Sequence, residues 1–151
     1  VSVQSEVMNL LIRLRDELAL SYVFISHDLG MVRHVSDRIG VMYLGRVVEL
    51  GPWKAVSDEP LHPYTRALQN AVPVPDPVLE AERAVEPLPG EVPDPAHPPA
   101  GCNFHPRCPL AEQLCIDDDP TLERLHADHA AACHAAAGRL AGTPLPREAR
   151  R

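Results

Sequence analysis

Hydrophobic and polar positions keep a helical period at the start of the chain. Val7, Leu10, Leu11, Leu14 and Leu18 recur every three to four residues, and Glu6, Arg13, Asp16 and Glu17 lie opposite. This spacing predicts an amphipathic helix over 3–20, with Ser2 as its N-cap. The pattern then changes to the unbroken apolar run Tyr22-Val23-Phe24-Ile25. Such a run suits a strand, here 22–26, buried on both faces of a parallel sheet. Ser26, His27 and Asp28 then fall at the strand's carboxyl end, where open α/β sheets place their ligand chemistry. The plainer reading is that His27 is a loop residue and Asp28 only caps a short helix from about 29 to 35. Arg38-Ile39-Gly40-Val41-Met42-Tyr43 is strand-like, Leu44-Gly45-Arg46 a tight turn, and Val47-Val48-Glu49-Leu50 the hairpin partner, ended by Gly51-Pro52. Short helices are expected at 53–57 and 63–71. Pro63 suits the first position of the second one, with His62 just outside it and Arg66 on its outer side. An alanine-rich patch predicts a last helix over about 121–141.

Composition divides this pattern in two. Residues 1–51 contain no proline, and all 17 prolines lie beyond them. Proline fixes φ, donates no hydrogen bond and costs about 3 kcal/mol inside a helix. The second part is therefore expected to be short helices, turns and extended segments. Nine prolines between Val72 and Ala100 predict polyproline character there, with 73–88 as a linker and the last ten residues frayed.

The net charge is −7 with the histidines neutral. That argues against nucleic-acid binding, which requires a basic surface. Arg147, Arg150 and Arg151 read as a solvated basic end. No run approaches the roughly 20 apolar residues that span a bilayer, and the start has no signal-peptide pattern. A cytoplasmic protein with no direct membrane insertion is expected.

Two features point to a larger parent. A strand buried at 22–26 needs parallel neighbours that one helix and one hairpin do not supply. No Gly-x-x-x-x-Gly-Lys-Ser/Thr phosphate loop is present. The chain also begins with Val1 rather than methionine, which leads us to expect a cut or truncated product.

The only four cysteines, Cys102, Cys108, Cys115 and Cys133, follow the spacing C-x5-C-x6-C-x17-C. The first three lie among prolines and charged residues, so burial in an apolar stripe explains them poorly. Two disulfides are possible by count, but a reducing cytoplasm disfavours them. A four-thiolate zinc site suits the ligand type, although no C-x2–4-C pair is present. An iron–sulfur cluster takes four thiolates and tolerates varied spacing. His105, His126, His129 and His134 are alternative ligands, each read in preference as a surface histidine.

The series Ser2-Val3-Gln4, Phe24-Ile25-Ser26-His27-Asp28-Leu29, Val41-Met42-Tyr43-Leu44-Gly45-Arg46 and His62-Pro63-Tyr64-Thr65-Arg66-Ala67-Leu68 closely resembles the C-terminal part of the ATP-binding subunits of bacterial ABC importers for dipeptides and oligopeptides. Gly101-Cys102-Asn103-Phe104-His105-Pro106-Arg107-Cys108-Pro109 resembles that family's own C-terminal extension, and the likeness runs from Val1 to about His134. The resemblance implies that His27 is the switch histidine, which contacts the ATP γ-phosphate and helps position the attacking water. It implies ATP with magnesium as the cofactor of the intact subunit. It also implies a four-iron four-sulfur cluster on Cys102, Cys108, Cys115 and Cys133, with zinc as the alternative. The implied partners are a second ATPase subunit and the membrane permease subunits, which would hold the protein at the inner face of the cell membrane. The family's phosphate loop, glutamine loop, signature motif, magnesium-binding aspartate and catalytic glutamate lie upstream of the matching motifs. No ATP hydrolysis by the chain alone is therefore expected.

The expected fold class is α/β. A partial catalytic-domain remnant (helix, buried strand, helix, β-hairpin) over 1–58 precedes a proline-rich, loop-rich extension with short helices over 59–135 and a flexible tail over 136–151. The competing reading is a stand-alone, cysteine-ligated metal-binding or interaction module, which leaves Tyr22–Ile25 without a sheet to enter. A secreted, disulfide-linked protein is disfavoured by the missing signal.

Overall fold

The computed structural model describes residues 3–72, 76 and 87–139. The chain divides into two compact units, Val1–Asp37 and Arg38–Arg151. Most of the proposed 73–88 linker and residues 140–151 of the proposed tail lie outside the described residues.

The first unit holds helices α1 (Val3–Leu18) and α2 (Leu29–Val35). Helix α1 ends where Ala19 turns to a φ of 53° and the Leu20 N–H donates back to the Arg15 carbonyl at 3.0 Å. A left-handed residue followed by such a back-bond is a common helix stop. Helix α2 starts on Asp28, whose Oδ1 accepts the Met31 N–H at 3.0 Å, so the capping role read from the sequence is realised. The Arg15 guanidinium donates to the Val35 carbonyl at 3.4 Å and ties the ends of the two helices.

The strand expected at 22–26 does not form; Leu20–Ser26 has no regular structure. Val23 and Ile25 are each 94% exposed. An extended segment becomes a strand only when its N–H and C=O groups pair with a neighbour, and no strand lies among the described residues of this unit. For the same reason the apolar face predicted on α1 is not buried: Val7, Leu10 and Leu18 remain exposed, while Met8 is covered.

The second unit is built on a four-stranded antiparallel sheet in the order β1-β2-β4-β3. Its strands are β1 (Arg38–Tyr43), β2 (Arg46–Pro52), β3 (Glu123–His126) and β4 (His129–Ala131). The β1–β2 hairpin closes at Leu44-Gly45 as the sequence predicts, with a bulge between Val41 and Met42. Burial along β1 alternates strictly, so Ile39, Val41 and Tyr43 face the core and Arg38, Gly40 and Met42 face out. Helices α3 (Trp53–Asp58) and α4 (Pro63–Asn70) follow, then a 3₁₀ turn at His105–Arg107 and helix α5 (Gln113–Asp117).

The helix predicted over 121–141 is replaced by the β3–β4 hairpin and a run of turns. Alanine favours helix locally, but β2 offers an open edge here. Ala131 and Ala130 pair with Glu49 and Leu50, and the Ala132 N–H donates to the Val48 carbonyl at 2.9 Å. Pairing with a distant strand overrides a propensity of under about 1 kcal/mol per residue. The fold is thus mixed helix and strand, with an antiparallel rather than parallel sheet.

An aromatic cluster joins the hairpin, α4 and the first cysteine loop. Phe104 is 1% exposed. Its ring meets Tyr43 edge-on at 5.2 Å and lies 5.5 Å from both Tyr64 and His62, while Tyr43 and Tyr64 are 4.8 Å apart. Edge and tilted contacts at these separations contribute beyond the area they bury.

Candidate functional site

Two sets of sequence-predicted residues fall in different units, and each has its own geometry. His27 occupies a bend between Ser26 and Asp28 and is exposed. The Ser26 hydroxyl oxygen accepts the Asp28 N–H at 3.0 Å and Asp28 caps α2, so the residues flanking His27 are held by local hydrogen bonds.

The second set converges. Cys102, Cys108, Cys115 and Cys133 all line one small cavity in the Arg38–Arg151 unit, together with His62, His105 and His134. Residues 31 positions apart in sequence meet because three separate segments are brought together: the 3₁₀ turn region, α5 and the stretch after β4. The Cys102 N–H donates to the Cys115 carbonyl at 2.9 Å, which staples the first segment to α5. Gly101 makes that approach possible. Its φ is +65°, and a Cβ there would stand 2.5 Å from the carbonyl oxygens of Cys115 and Ile116. Only glycine meets both conditions without strain.

The four cysteines are free thiols. Burial pushes the Cys102 thiol up to about 11 and the Cys108 thiol up to about 12, and it raises Cys133 as well. Each also feels its neighbouring cysteines, which opposes a second negative charge in the same space. Backbone N–H groups pull the other way: those of Phe104 and His105 reach the Cys102 sulfur, that of Leu110 reaches Cys108, and those of Ala135 and Ala136 reach Cys133. Amides aimed at sulfur stabilise thiolate and tune metal–sulfur centres. Without a cation the Cys102, Cys108 and Cys133 thiols stay protonated at neutral pH; a cation would invert that balance.

The donor chemistry therefore fits a thiolate-ligated metal. The free volume of about 10 Å³ is close to that of one water-sized group. The four thiols line that space. As they stand, no group of three or more His, Cys, Asp or Glu side chains among the described residues is set to hold a metal ion.

The histidines depart from the surface reading. His126 is exposed and His105 part-exposed, but His129 is 5% and His134 1% exposed. His129 is held by a buried carboxylate that the sequence did not point to. Glu49, fully buried, accepts from the Leu61 N–H at 2.9 Å and the His62 N–H at 2.8 Å, and its Oε1 lies 2.7 Å from His129 Nε2. A Cβ on Gly51 would sit 2.8 Å from the His129 ring, so the bare glycine makes room for that pair. His62 in turn caps α4, its Nδ1 accepting the Tyr64 N–H at 3.1 Å. Glu49 and His129 are 80 residues apart, and no local pattern links them.

Comparison with known proteins assigns the class. Residues 48–115 match the family described as "Oligopeptide/dipeptide transporter, C-terminal region". These residues belong to that family, and most of the chain is similar to ATP-binding subunits of peptide ABC importers. It is 54% identical over 123 residues to the oligopeptide transport ATP-binding protein OppF of Escherichia coli K12, covering 82% of this chain and 37% of that protein. It is 49% identical over 136 residues to the di/tripeptide transport ATP-binding protein DppF of Pseudomonas aeruginosa, covering 89% and 41%. The oligopeptide transport ATP-binding protein AppF of Bacillus subtilis is 48% identical over 134 residues, with 89% and 41% covered. The chain thus spans well under half the length of these relatives.

Proposed function

We propose that this chain is part of the ATP-hydrolysing subunit that energises import of peptides across the cytoplasmic membrane. The observation that carries the reading is a likeness too long to fit within the Arg38–Arg151 unit, so it includes residues of both compact units. A free-standing cysteine module does not account for the matches in the first unit. In the intact subunit His27 contacts the γ-phosphate of magnesium-bound ATP and helps orient the attacking water. Its exposure beside two capped residues suits that role, because phosphoryl transfer depends mainly on positioning and charge stabilisation. A second ATPase subunit and the permease subunits are its partners, and it works at the cytoplasmic face through the permease. Among the described residues, no helix is long and apolar enough to cross a membrane. By function, residues 1–58 are the catalytic remnant, 59–135 the extension and 136–151 a tail.

The purified chain is expected to show no ATP turnover, because the residues that cradle phosphate and magnesium are not in it. Hydrolysis of even one equivalent of ATP per chain, followed by phosphate release, contradicts this.

Cys102, Cys108, Cys115 and Cys133 hold a metal centre that pins the loop-rich segment, where a large apolar core is lacking. When bound, the metal supplies a covalent cross-link between the three segments. The family resemblance favours a four-iron four-sulfur cluster; zinc, which also takes four thiolates, is the second reading. Elemental analysis distinguishes them. Cys108→Ser is expected to abolish bound metal of either kind, and full metal content in that variant refutes the assignment.

A further inference from the structure

A second, larger groove lies in the Arg38–Arg151 unit, and neither His27 nor the thiol centre uses it. Strand β4 pairs with β2 only as far as Glu49, and the Ala132 N–H closes the ladder on the Val48 carbonyl. Beyond that point β2 runs on to Arg46 with no β4 residue paired to it. The groove opens there. Val47, Val48, Phe104, Pro120 and Leu122 give it apolar walls, and its free volume is about 410 Å³. Small-molecule sites span roughly 300–1,000 Å³ and are mostly apolar, with a few convergent polar groups.

The polar groups here carry both signs. Arg46 and Asp119 line the groove and form an ion pair, with side chains 60% and 41% exposed. The contact joins one guanidinium nitrogen, Nη1, to one carboxylate oxygen, Oδ2. A guanidinium has five N–H donors and a carboxylate about four lone-pair sites, so each group keeps capacity for a further partner. A pure anion gains Arg46 but meets Asp119. A pure cation gains Asp119 but meets Arg46. Like charges brought together cost affinity. A ligand that carries both charges avoids that cost and completes an alternating ring of charges.

The direct contact between the two side chains also sets the spacing. The ligand's charges have to lie close together. In a free α-amino acid the ammonium and the carboxylate share one carbon, whereas in a dipeptide they sit on separate Cα atoms about 3.8 Å apart. The apolar walls then take an aliphatic side chain. We propose that this groove binds a free α-amino acid with an apolar side chain, its carboxylate on Arg46 and its ammonium on Asp119. The site is independent of any metal at the thiols.

Calorimetric titration of the full chain with L-leucine tests this, with a chelator and a reductant present to keep the thiols free. Isocaproate offers the same side chain with the carboxylate alone, leucinamide offers it with the ammonium alone, and leucyl-leucine separates the two charges. L-leucine is expected to saturate and to bind about tenfold tighter than each of the three, the scale of one charge-assisted hydrogen bond. Arg46→Gln is expected to remove the preference over leucinamide, and Asp119→Asn the preference over isocaproate. A purely structural ion pair gives no such crossed pattern. The parent chain alone supplies a second readout: leucine is expected to shift the amide signals of Val47, Asn103 and Thr121, which line or flank the groove. Absence of saturable leucine binding, shifts confined to other residues, equal affinity for a single-charge analogue, or tighter binding of leucyl-leucine overturns the proposal.

Discussion

Glu49→Ala is expected to destabilise the Arg38–Arg151 unit by about 3–5 kcal/mol, because three hydrogen-bonding groups lose their acceptor at about 1–3 kcal/mol each. The carboxylate satisfies three groups at once: the N–H of Leu61, the N–H of His62 and the ring nitrogen of His129. Its loss leaves two backbone donors and a buried imidazole unmet. Those groups sit on different elements. Leu61 and His62 lead into α4, His129 begins β4, and Glu49 itself lies in β2 beside Ala131. Loosening β4 also frees Cys133, only four residues beyond His129. Glu49→Gln, which keeps the shape and an acceptor oxygen, is expected to cost less, about 1–3 kcal/mol. Urea unfolding of the three proteins gives these differences directly. An alanine variant within about 1 kcal/mol of the parent means that the carboxylate is not the anchor of this sheet.

This network also marks where the sequence stops being legible. Local signals are legible in the sequence. Asp28 caps α2, Pro63 opens α4, Leu44-Gly45 turns the hairpin and Arg38–Tyr43 forms a strand. Each depends on residues within a few positions of one another. The features that differ from the sequence expectation all depend on distant partners. Tyr22–Ile25 has the composition of a buried strand, yet strand identity comes from pairing, and this unit offers none. The alanines near 130 favour a helix, yet the edge of β2 draws them into a sheet. For the candidate site, the cysteines alone left disulfides, zinc and an iron–sulfur cluster open, and only the family resemblance implied one shared centre; the structure brings all four thiols to one cavity. The buried position of His134, with Nε2 3.1 Å from the Asp118 carbonyl oxygen, depends on where that carbonyl points. No periodicity in the sequence encodes that direction.

His62 ties the stability of the same unit to pH. Burial disfavours its imidazolium and holds its pKa down at about 4, against about 6.5 in an unfolded chain. Geometry gives a second reason for the same direction. Nδ1 accepts the Tyr64 N–H as the cap of α4, and protonation there removes the acceptor. Between pH 6.5 and 4 the unfolded chain therefore binds a proton that the folded chain refuses. This group's contribution is complete above pH 6.5, declines as pH falls towards 4 and is level below that. At 1.36 kcal/mol per unit the whole decline is about 3 kcal/mol. Carboxylates also titrate in the lower part of this window, so the informative quantity is the gap between the parent and His62→Asn. Asparagine is itself a strong N-cap and does not titrate. The variant loses the ring contact with Phe104 at 5.5 Å, so it starts out weaker at pH 7.5. The gap is expected to narrow by about 3 kcal/mol by pH 4, measured by urea unfolding with a chelator present to keep the thiol cavity free of metal. A gap that stays constant from pH 7.5 to 4 would show that His62 titrates alike in both states, and burial would not be what governs its charge.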